Sequence, residues 1–149
     1  MKVFVDADNC NKDSRKIILK ACTRKNIEVE LVANKNIPVN TQNVKFTMTV
    51  CPATKDAADN YIVENSTDTD IAITKDILLA KRLIDKNVFT MNDMGKVFTS
   101  ANIEDLLEQR ELSLQMKSLG ISNGENFRSQ AQTKEFSIQF NKIINEKTN

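Results

Sequence analysis

The sequence has no histidine among its 149 residues, and this absence excludes several classes of enzyme at once. Serine–histidine–acid triads, cysteine–histidine pairs and histidine-rich zinc sites all need an imidazole, so this chain cannot form them. General acid–base chemistry must instead come from carboxylates, lysine, cysteine, the single tyrosine, Tyr61, or water bound to a metal. Because the chain has 20 Asp and Glu residues, carboxylates with a metal ion are the leading option.

Cysteine and aromatic residues are also scarce. The three cysteines, Cys10, Cys22 and Cys51, are an odd number without C-x-x-C spacing, which favours reduced and buried thiols. One Tyr, no Trp and seven Phe, mostly in apolar patterns, give no support for sequence-specific reading of bases. The net charge of +1 is no compositional sign of a nucleic-acid binder either.

Long apolar runs are missing. No run approaches the roughly 20 residues that a transmembrane helix needs, so we expect no membrane partner. The N-terminal segment MKVFVDADNC has one lysine and then reaches Asp6, so it lacks the apolar stretch of a signal peptide. These features predict a cytoplasmic protein, and they leave its oligomeric state open.

Strand and helix patterns alternate along the first 91 residues. The segments predicted as strands are 2–6, 28–33, 46–50, 70–74 and 88–91, with a short extended run at 97–99. The segments predicted as helices are 12–25, 55–65, 76–86, 101–118 and about 133–146, with a loop at 120–132. Such alternation predicts an α/β fold with a mostly parallel sheet of about five strands and helices on both faces. We find no repeat or linker and expect one domain over 1–149, with its C-terminal helical part, about 101–149, packed on it.

Acidic and polar residues follow two of the predicted strands. Asp6 ends the first strand and is followed by Asp8 and Asn9, while Thr74 ends the fourth strand and Asp76 begins the next helix. Ligands of open parallel sheets bind outside the carboxyl ends of the strands, near the point where strand order reverses. If these strands are neighbours, their acids meet at one edge of the sheet.

Asp59 joins this group from the helix after the third strand. Two unit charges about 4 Å apart repel by roughly 4 kcal/mol at an effective dielectric near 20, so the four acids need raised pKa values or a cation. Oxygen ligands without His or Cys favour Mg²⁺ or Mn²⁺ over zinc. We therefore predict that Asp6, Asp8, Asp59 and Asp76 hold one of these ions, which suits a site for phosphate esters.

Each acid also has a simpler interpretation. Asp6 and Asp8 could cap the next helix or form an Asx turn, and Asp76 could be favoured by the helix dipole. Asp59 could be a solvated surface residue. Their joint placement favours the metal site over these alternatives.

Basic residues recur every four positions on the first predicted helix, at Lys12, Lys16, Lys20 and Arg24. A solvated helix face explains this stripe. Alternatively, the stripe guides a phosphate backbone toward the edge where Asp6 and Asp8 lie.

Several segments together resemble one protein family. They are VDADNC (5–10), LVAN (31–34), DAADNYIVE (56–64), DIAITKDILLA (70–80) and NDMGKVFTSANI (92–103). In this order they resemble the YaiI/YqxD family of uncharacterised bacterial proteins, which is grouped with the PIN-like nucleases, including the NYN branch. The resemblance implies a three-layer α/β/α sandwich with an acidic, metal-binding pocket.

The resemblance extends to individual residues. Asp6 matches the acid of the first strand, Asp8 the second Asp of the family's D-A-D, and Asn9 the Asn of NYN-type motifs. Thr74 and Asp76 resemble the T-x-D that follows the fourth strand of PIN-like nucleases. Three further residues, Asp56, Asp59 and Asn60, fall on the family's D-x-x-D-N segment.

The chain also departs from these patterns. Asn11 stands where the family usually has proline, and Leu78 stands where PIN nucleases often place a second acid. The family's late Gly-Pro and Asp-Arg pairs are missing around 122–136. These departures bear on catalytic rate and on any C-terminal contribution to substrate binding.

The preferred function is a Mg²⁺- or Mn²⁺-dependent nuclease acting on RNA or single-stranded nucleic acid. The residues expected to hold the metal and to act in catalysis are Asp6, Asp8, Asp59 and Asp76, with Asp8 positioning the attacking water or a second ion. The residues expected to bind the substrate are Asn9, Asn60, Thr74, Lys12 and Lys16.

Two other functions remain open. One is a non-catalytic PIN-like module that binds metal, RNA or a protein. The other is a D-x-D phosphatase in which Asp6 is the nucleophile and Asp8 the acid, although such motifs usually have Thr or Val at the position of Cys10.

Overall fold

The computed structural model describes residues 1–120 and 130–148. Its strands are β1 (Lys2–Asp6), β2 (Glu28–Ala33), β3 (Thr47–Val50), β4 (Ile71–Ile73), β5 (Phe89–Met91) and β6 (Val97–Phe98). Its helices are α1 (Lys12–Arg24), α2 (Ala57–Asn65), α3 (Ile77–Asp85), α4 (Ile103–Ser118) and α5 (Gln130–Thr148), with a 3-10 turn at Ala7–Asn9. Across these residues, no helix is both long and apolar enough to cross a membrane.

The strands form one six-stranded sheet in the order β3-β2-β1-β4-β5-β6. The first five are parallel and β6 pairs antiparallel with β5, which confirms the predicted α/β class and mostly parallel sheet. A tight turn joins β5 to β6, in which the Asn92 side-chain oxygen accepts hydrogen bonds from the Met94 and Lys96 backbone N–H groups at 2.9 Å. Gly95 has φ +96°, a conformation that side chains rarely adopt, so glycine suits the turn. The extended run predicted at 97–99 thus becomes the antiparallel edge strand.

Strand β1 lies at the centre of the sheet and is apolar on both faces. Val3 and Val5 face a core shared with α1 and α5, while Phe4 faces a second core shared with α2 and α3. Burial on both faces explains why the parallel strands are continuous apolar runs. The arrangement is consistent with the three-layer α/β/α sandwich.

The two helical layers use the apolar stripes that helical periodicity predicts. On one face, α1 and α5 bury Ile18, Leu19, Cys22, Phe136 and Phe140. On the other face, α2 and α3 bury Ala58, Ile62, Leu79 and Leu83. Helix α4 packs on α3 through a smaller cluster formed by Ala80, Phe98, Ile103 and Leu106.

The predicted boundaries were wrong by a few residues in places. Helix α5 is already formed at Gln130, the first residue described after 120, and so extends beyond the predicted start at about 133; the Gln-Ala-Gln segment there consists of good helix formers. The rest of the loop predicted at 120–132 lies at 121–129, outside the described residues. Helix α2 begins at Ala57 because Asp56 has a left-handed conformation, φ +61°, that cannot continue a helix.

Phe136 tests whether α5 is part of the folding unit. Its side chain is fully buried and stacks on Phe140 with ring centroids 5.5 Å apart. Phe136→Ala should lower the free energy of unfolding by about 3–5 kcal/mol, because it leaves a cavity between α5 and the sheet. Urea unfolding followed by circular dichroism measures this loss.

Ile138→Ala is the matched control on the same helix. Its side chain is 51% exposed, so the free energy of unfolding should change by less than about 0.5 kcal/mol. Equal effects of the two substitutions, or a separate early transition for α5, would contradict the predicted single domain.

Candidate functional site

The order of strands reverses between β1 and β4. Strands β2 and β3 lie on one side of β1, and β4, β5 and β6 lie on the other. The helices that follow the two central strands, α1 and α3, pack on opposite faces of the sheet. A crevice therefore opens at the carboxyl ends of β1 and β4, and Asp6 and Thr74 lie there, as their positions in the sequence predict.

Asp6 is the most deeply placed acid at this edge, with 2% of its surface exposed. Its Oδ2 accepts hydrogen bonds from the Thr74 hydroxyl at 2.9 Å and from the Asn9 side-chain amide at 3.4 Å. Burial raises the pKa of Asp6, and these two hydrogen bonds oppose the shift, while the charges of Asp76 and Asp8 add to it. Asp6 is therefore a carboxylate under electrostatic strain.

Thr74 connects the two central strands through its buried hydroxyl. The hydroxyl donates to Asp6 and accepts from the Asp76 backbone N–H at 3.0 Å. The Thr74 backbone N–H donates to the Met91 carbonyl at 3.0 Å, which continues the sheet toward β5. One side chain thus ties the end of β1 to the start of α3.

Asp76 caps α3. Its Oδ1 accepts hydrogen bonds from the backbone N–H groups of Leu78 at 2.9 Å and Leu79 at 3.3 Å, so its simpler interpretation as a residue of the helix N-terminus is also correct. The role as a cap does not remove Asp76 from the acidic edge, because its charge raises the pKa of both Asp6 and Asp59.

Asp59 lies in the first turn of α2, half-buried beside the other two acids. Burial, together with the charges of Asp76, Asp6 and Asp56, raises the pKa of Asp59 to about 6 against the opposing effect of Arg82. Three of the four predicted acids therefore influence one another at one edge of the sheet.

Asp8 is directed toward the neighbouring strand. Its Oδ2 accepts a hydrogen bond from the Asn34 backbone N–H at 2.7 Å, which joins the 3-10 turn to the end of β2. It does not cap α1, because the Asn11 side chain accepts from the backbone N–H groups of Asp13 at 2.8 Å and Ser14 at 3.4 Å.

The carboxylate oxygens at this edge suit a hard divalent cation, but in the present structure they lie too far apart to bind one together. In residues 1–120 and 130–148, no three Asp, Glu or Cys side chains lie close enough together to hold a metal ion. The oxygen atoms of Asp6, Asp59 and Asp76 are those that Mg²⁺ and Mn²⁺ prefer. A cation at this edge must therefore move at least one carboxylate from its present position.

Some of the residues predicted to bind the substrate lie beside Asp6, and others lie on exposed helix surfaces. Asn9 and Thr74 contact Asp6 directly. Asn60 is exposed on α2, and Lys12 and Lys16 are exposed on α1. None of the ion pairs among residues 1–120 and 130–148 joins either lysine to an acid. The whole basic stripe of α1, with Lys20 and Arg24, is exposed, which is consistent with a solvated face.

The cysteines are free thiols, with Cys22 and Cys51 buried and Cys10 half-buried. Burial raises the pKa of Cys10 to about 12, and the nearby charge of Asp93 acts in the same direction. A protonated thiol is a poor nucleophile, so the surroundings of Cys10 do not favour a catalytic role for it.

Asp93 was missed because the sequence NDMG predicts only a turn. It is buried, and its Oδ2 accepts a hydrogen bond from the Asn11 backbone N–H at 2.7 Å. Its carbonyl oxygen accepts from the Ser14 hydroxyl at 2.7 Å. Asp93 therefore joins the start of α1 to the β5–β6 turn beside the acidic edge.

Lys75 and Arg110 were also missed. With Asn9, Asp76 and Ile77 they line an open cleft of about 370 Å³ at the acidic edge. Lys75 stands between Thr74 and Asp76 in the T-x-D segment, a position that could have drawn attention to it. Arg110 comes from α4, and no motif in the sequence connects it with the acids.

Thr74→Val should destabilise the protein by about 1–3 kcal/mol. The valine keeps the shape but removes the hydroxyl, so Asp6 loses a donor and the Asp76 N–H loses its acceptor. Thr74→Ser keeps the hydroxyl and is the matched control, with a smaller loss from one missing methyl group. Urea unfolding compares the variants, and a valine variant as stable as the wild type would refute the bridging role.

Asp59→Asn should stabilise the metal-free protein at neutral pH. The folded-state pKa, about 6, lies above the ordinary value of 3.8, so the charged form costs stability as pH rises from about 4 to 6. With allowance for screening by solvent, the gain should be about 1 kcal/mol or less above that range.

Thermal unfolding in a chelating buffer at a series of pH values measures this gain. Asp68→Asn, which changes an exposed aspartate in the loop before β4, is the control and should show no such pH dependence. A less stable Asp59→Asn protein at neutral pH would contradict the electrostatic account of the edge.

Proteins from several bacteria are similar to this chain. A UPF0178 protein of Treponema denticola is 42% identical over 122 residues, covering 82% of this chain and 77% of its own. One of Aliivibrio fischeri is 38% identical over 145 residues, covering 97% of each chain. One of Maridesulfovibrio salexigens is 33% identical over 150 residues, covering 100% of this chain and 99% of its own. No solved structure matches the chain.

The family described as "Uncharacterized BCR, YaiI/YqxD family" matches residues 4–146, nearly the whole chain. The predicted resemblance is thereby confirmed, and the matched region includes the acidic edge from Asp6 to Asp76. The chain belongs to the YaiI/YqxD family.

Proposed function

We propose that this protein is a divalent-metal-dependent nuclease that acts on RNA or single-stranded nucleic acid. The observation that supports the proposal is that Asp6, Asp59 and Asp76 lie near enough to one another, where strand order reverses, for the charge of Asp76 to raise the pKa of both other acids. The family's description names no activity, so the proposal depends on the site itself.

Raised carboxylate pKa values at one edge mark a place where a cation is favourable. Each acid disfavours ionisation of its neighbours, and a bound cation removes that repulsion. Asp6, Asp59 and Asp76 would hold Mg²⁺ or Mn²⁺, which supplies a water of lowered pKa and offsets negative charge on a phosphate. With no histidine in the chain, this is the most direct route to a nucleophile at neutral pH.

The chain's own groups have distinct tasks in this proposal. Thr74 and Asn9 orient the Asp6 carboxylate through their hydrogen bonds to its Oδ2. Asp8 would position the attacking water or a second ion. The displaced group would be a sugar oxygen of the nucleic acid, in line with the attack.

Two observations favour a second candidate, a non-catalytic module that binds metal and RNA. Leu78, 48% exposed, occupies the position where the resemblance to PIN nucleases calls for a further acid. In addition, no three acidic or thiol side chains converge as a ligand set within the described residues. Such a module would bind Mn²⁺ and RNA without cleaving it.

The test is Mn²⁺ binding by calorimetry together with cleavage of labelled single-stranded RNA. The wild type should bind Mn²⁺ and cleave the RNA, and Asp6→Asn should reduce both by at least about 100-fold, because it removes the buried ligand. Circular dichroism would check that the variant is folded. Asp68→Asn, at the opposite edge of the sheet, should retain both properties.

The outcomes separate the candidates. Binding of Mn²⁺ and RNA without cleavage would replace the nuclease with the binding module. Cleavage that survives Asp6→Asn, or the absence of Mn²⁺ binding with RNA present, would contradict the proposed site.

A further inference from the structure

A cleft beside the acidic edge is lined by two cationic side chains as well as by an acid. It is formed by three separate parts of the chain, the 3-10 turn with Asn9, the β4–α3 junction with Lys75, Asp76 and Ile77, and helix α4 with Arg110. Its volume, about 370 Å³, lies near the lower limit of ligand pockets, roughly 300–1,000 Å³. It therefore has room for about one nucleotide.

Two cations face this cleft, one of which is held by a buried acid. The Lys75 ammonium lies 3.9 Å from the Asp93 Oδ2, while its side chain stays 47% exposed. Asp93 itself is buried and is fixed to the start of α1 through the Asn11 backbone N–H. Lys75 is thus oriented by the fold and still accessible to a ligand.

Arg110 is the second cation and comes from the middle of α4. It is half-buried, and in the described part of the chain it forms no ion pair with a carboxylate. A guanidinium presents its donors in a planar fork that matches the oxygens of a phosphate. A half-buried guanidinium that lines a cleft without a carboxylate partner is well suited to an external anion.

We propose that Lys75 and Arg110 form a subsite for a phosphodiester of a single-stranded nucleic acid beside the acidic edge. This inference rests on the proposed function, because Asp76 lines the same cleft and belongs to the acidic edge. Asn9 joins the subsite to Asp6 by its hydrogen bond. Ile77, half-buried in the cleft, offers an apolar surface to a sugar or base.

The second cleft does not share these properties. It has a volume of about 220 Å³ and is lined by 26–29 and 45–47, at the amino ends of β2 and β3. This is the opposite edge of the sheet, and the lining there includes Glu28, which pairs with Lys2 at 3.9 Å. The subsite is therefore specific to the acidic edge.

The experiment measures binding of a labelled single-stranded oligonucleotide by fluorescence anisotropy, with phosphorothioate linkages that slow its cleavage. Titrations are made with Mn²⁺ and with chelator, at several salt concentrations. Arg110→Met and Lys75→Met should each weaken binding about 5- to 10-fold at low salt. Each should also reduce the slope of log K against log salt by about 0.7, the value for one single-strand phosphate contact.

Lys117→Met is the matched control, because Lys117 is an exposed cation in the last turn of the same helix. It should change affinity less than 2-fold and leave the salt slope unchanged. Arg110→Lys should recover part of the affinity lost in Arg110→Met. Circular dichroism confirms that each variant is folded.

Two results would overturn the subsite. In the first, Arg110→Met and Lys117→Met bind the single-stranded oligonucleotide with equal affinity. In the second, the wild type binds a duplex as tightly as the single strand, and Arg110→Met weakens the binding of both equally. RNA cleavage by a wild type whose Arg110→Met variant binds normally would reject the subsite and keep the nuclease. Weaker binding by Arg110→Met without any cleavage by the wild type would support the subsite and reject the nuclease.

Discussion

The Thr74 hydroxyl is the interaction on which the candidate site depends. By donating to Asp6 and accepting from the Asp76 backbone N–H, it fixes the end of β1 against the start of α3. The helices that follow β1 and β4 pack on opposite faces of the sheet, and the short, buried contact made by Thr74 holds the polar residues at the two strand ends together at the reversal of strand order. A neutral hydroxyl does this without adding charge to an edge that already carries several carboxylates.

The acidic edge stores electrostatic repulsion that a binding partner can relieve. Burial raises the pKa of Asp6 and, to about 6, that of Asp59, and the charge of Asp76 acts on both. Local hydrogen bonds limit this cost, since Asp6 is held by Thr74 while Asp76 caps α3. Binding of a common cation would exchange some of these local hydrogen bonds for shared coordination.

Much of the fold could be predicted from the sequence because its strands are buried on both faces. Runs such as DIAIT have no polar alternation, which indicates parallel strands between two helical layers. The same reasoning placed Asp6, Thr74 and Asp76 correctly, because each follows the carboxyl end of a central strand. The one-domain organisation, and the roles given to these residues, stay predictions.

Other features depend on tertiary packing and could not be predicted. The direction of Asp8 toward the Asn34 N–H depends on the register of β2 beside β1, which periodicity does not specify. Arg110 reaches the cleft only because Ile103 and Leu106 anchor α4 on α3.

The central claim is that the carboxylates at the end of β1 and the start of α3 take up a common cation. A crystal of the protein soaked in Mn²⁺ and measured for anomalous scattering tests it most directly. The account predicts a peak at coordination distance, about 2.1 Å, from Asp6 and from Asp59 or Asp76, with a carboxylate moved from its present position. A map with no peak at this edge, or with its strongest peak elsewhere on the protein, would contradict the claim.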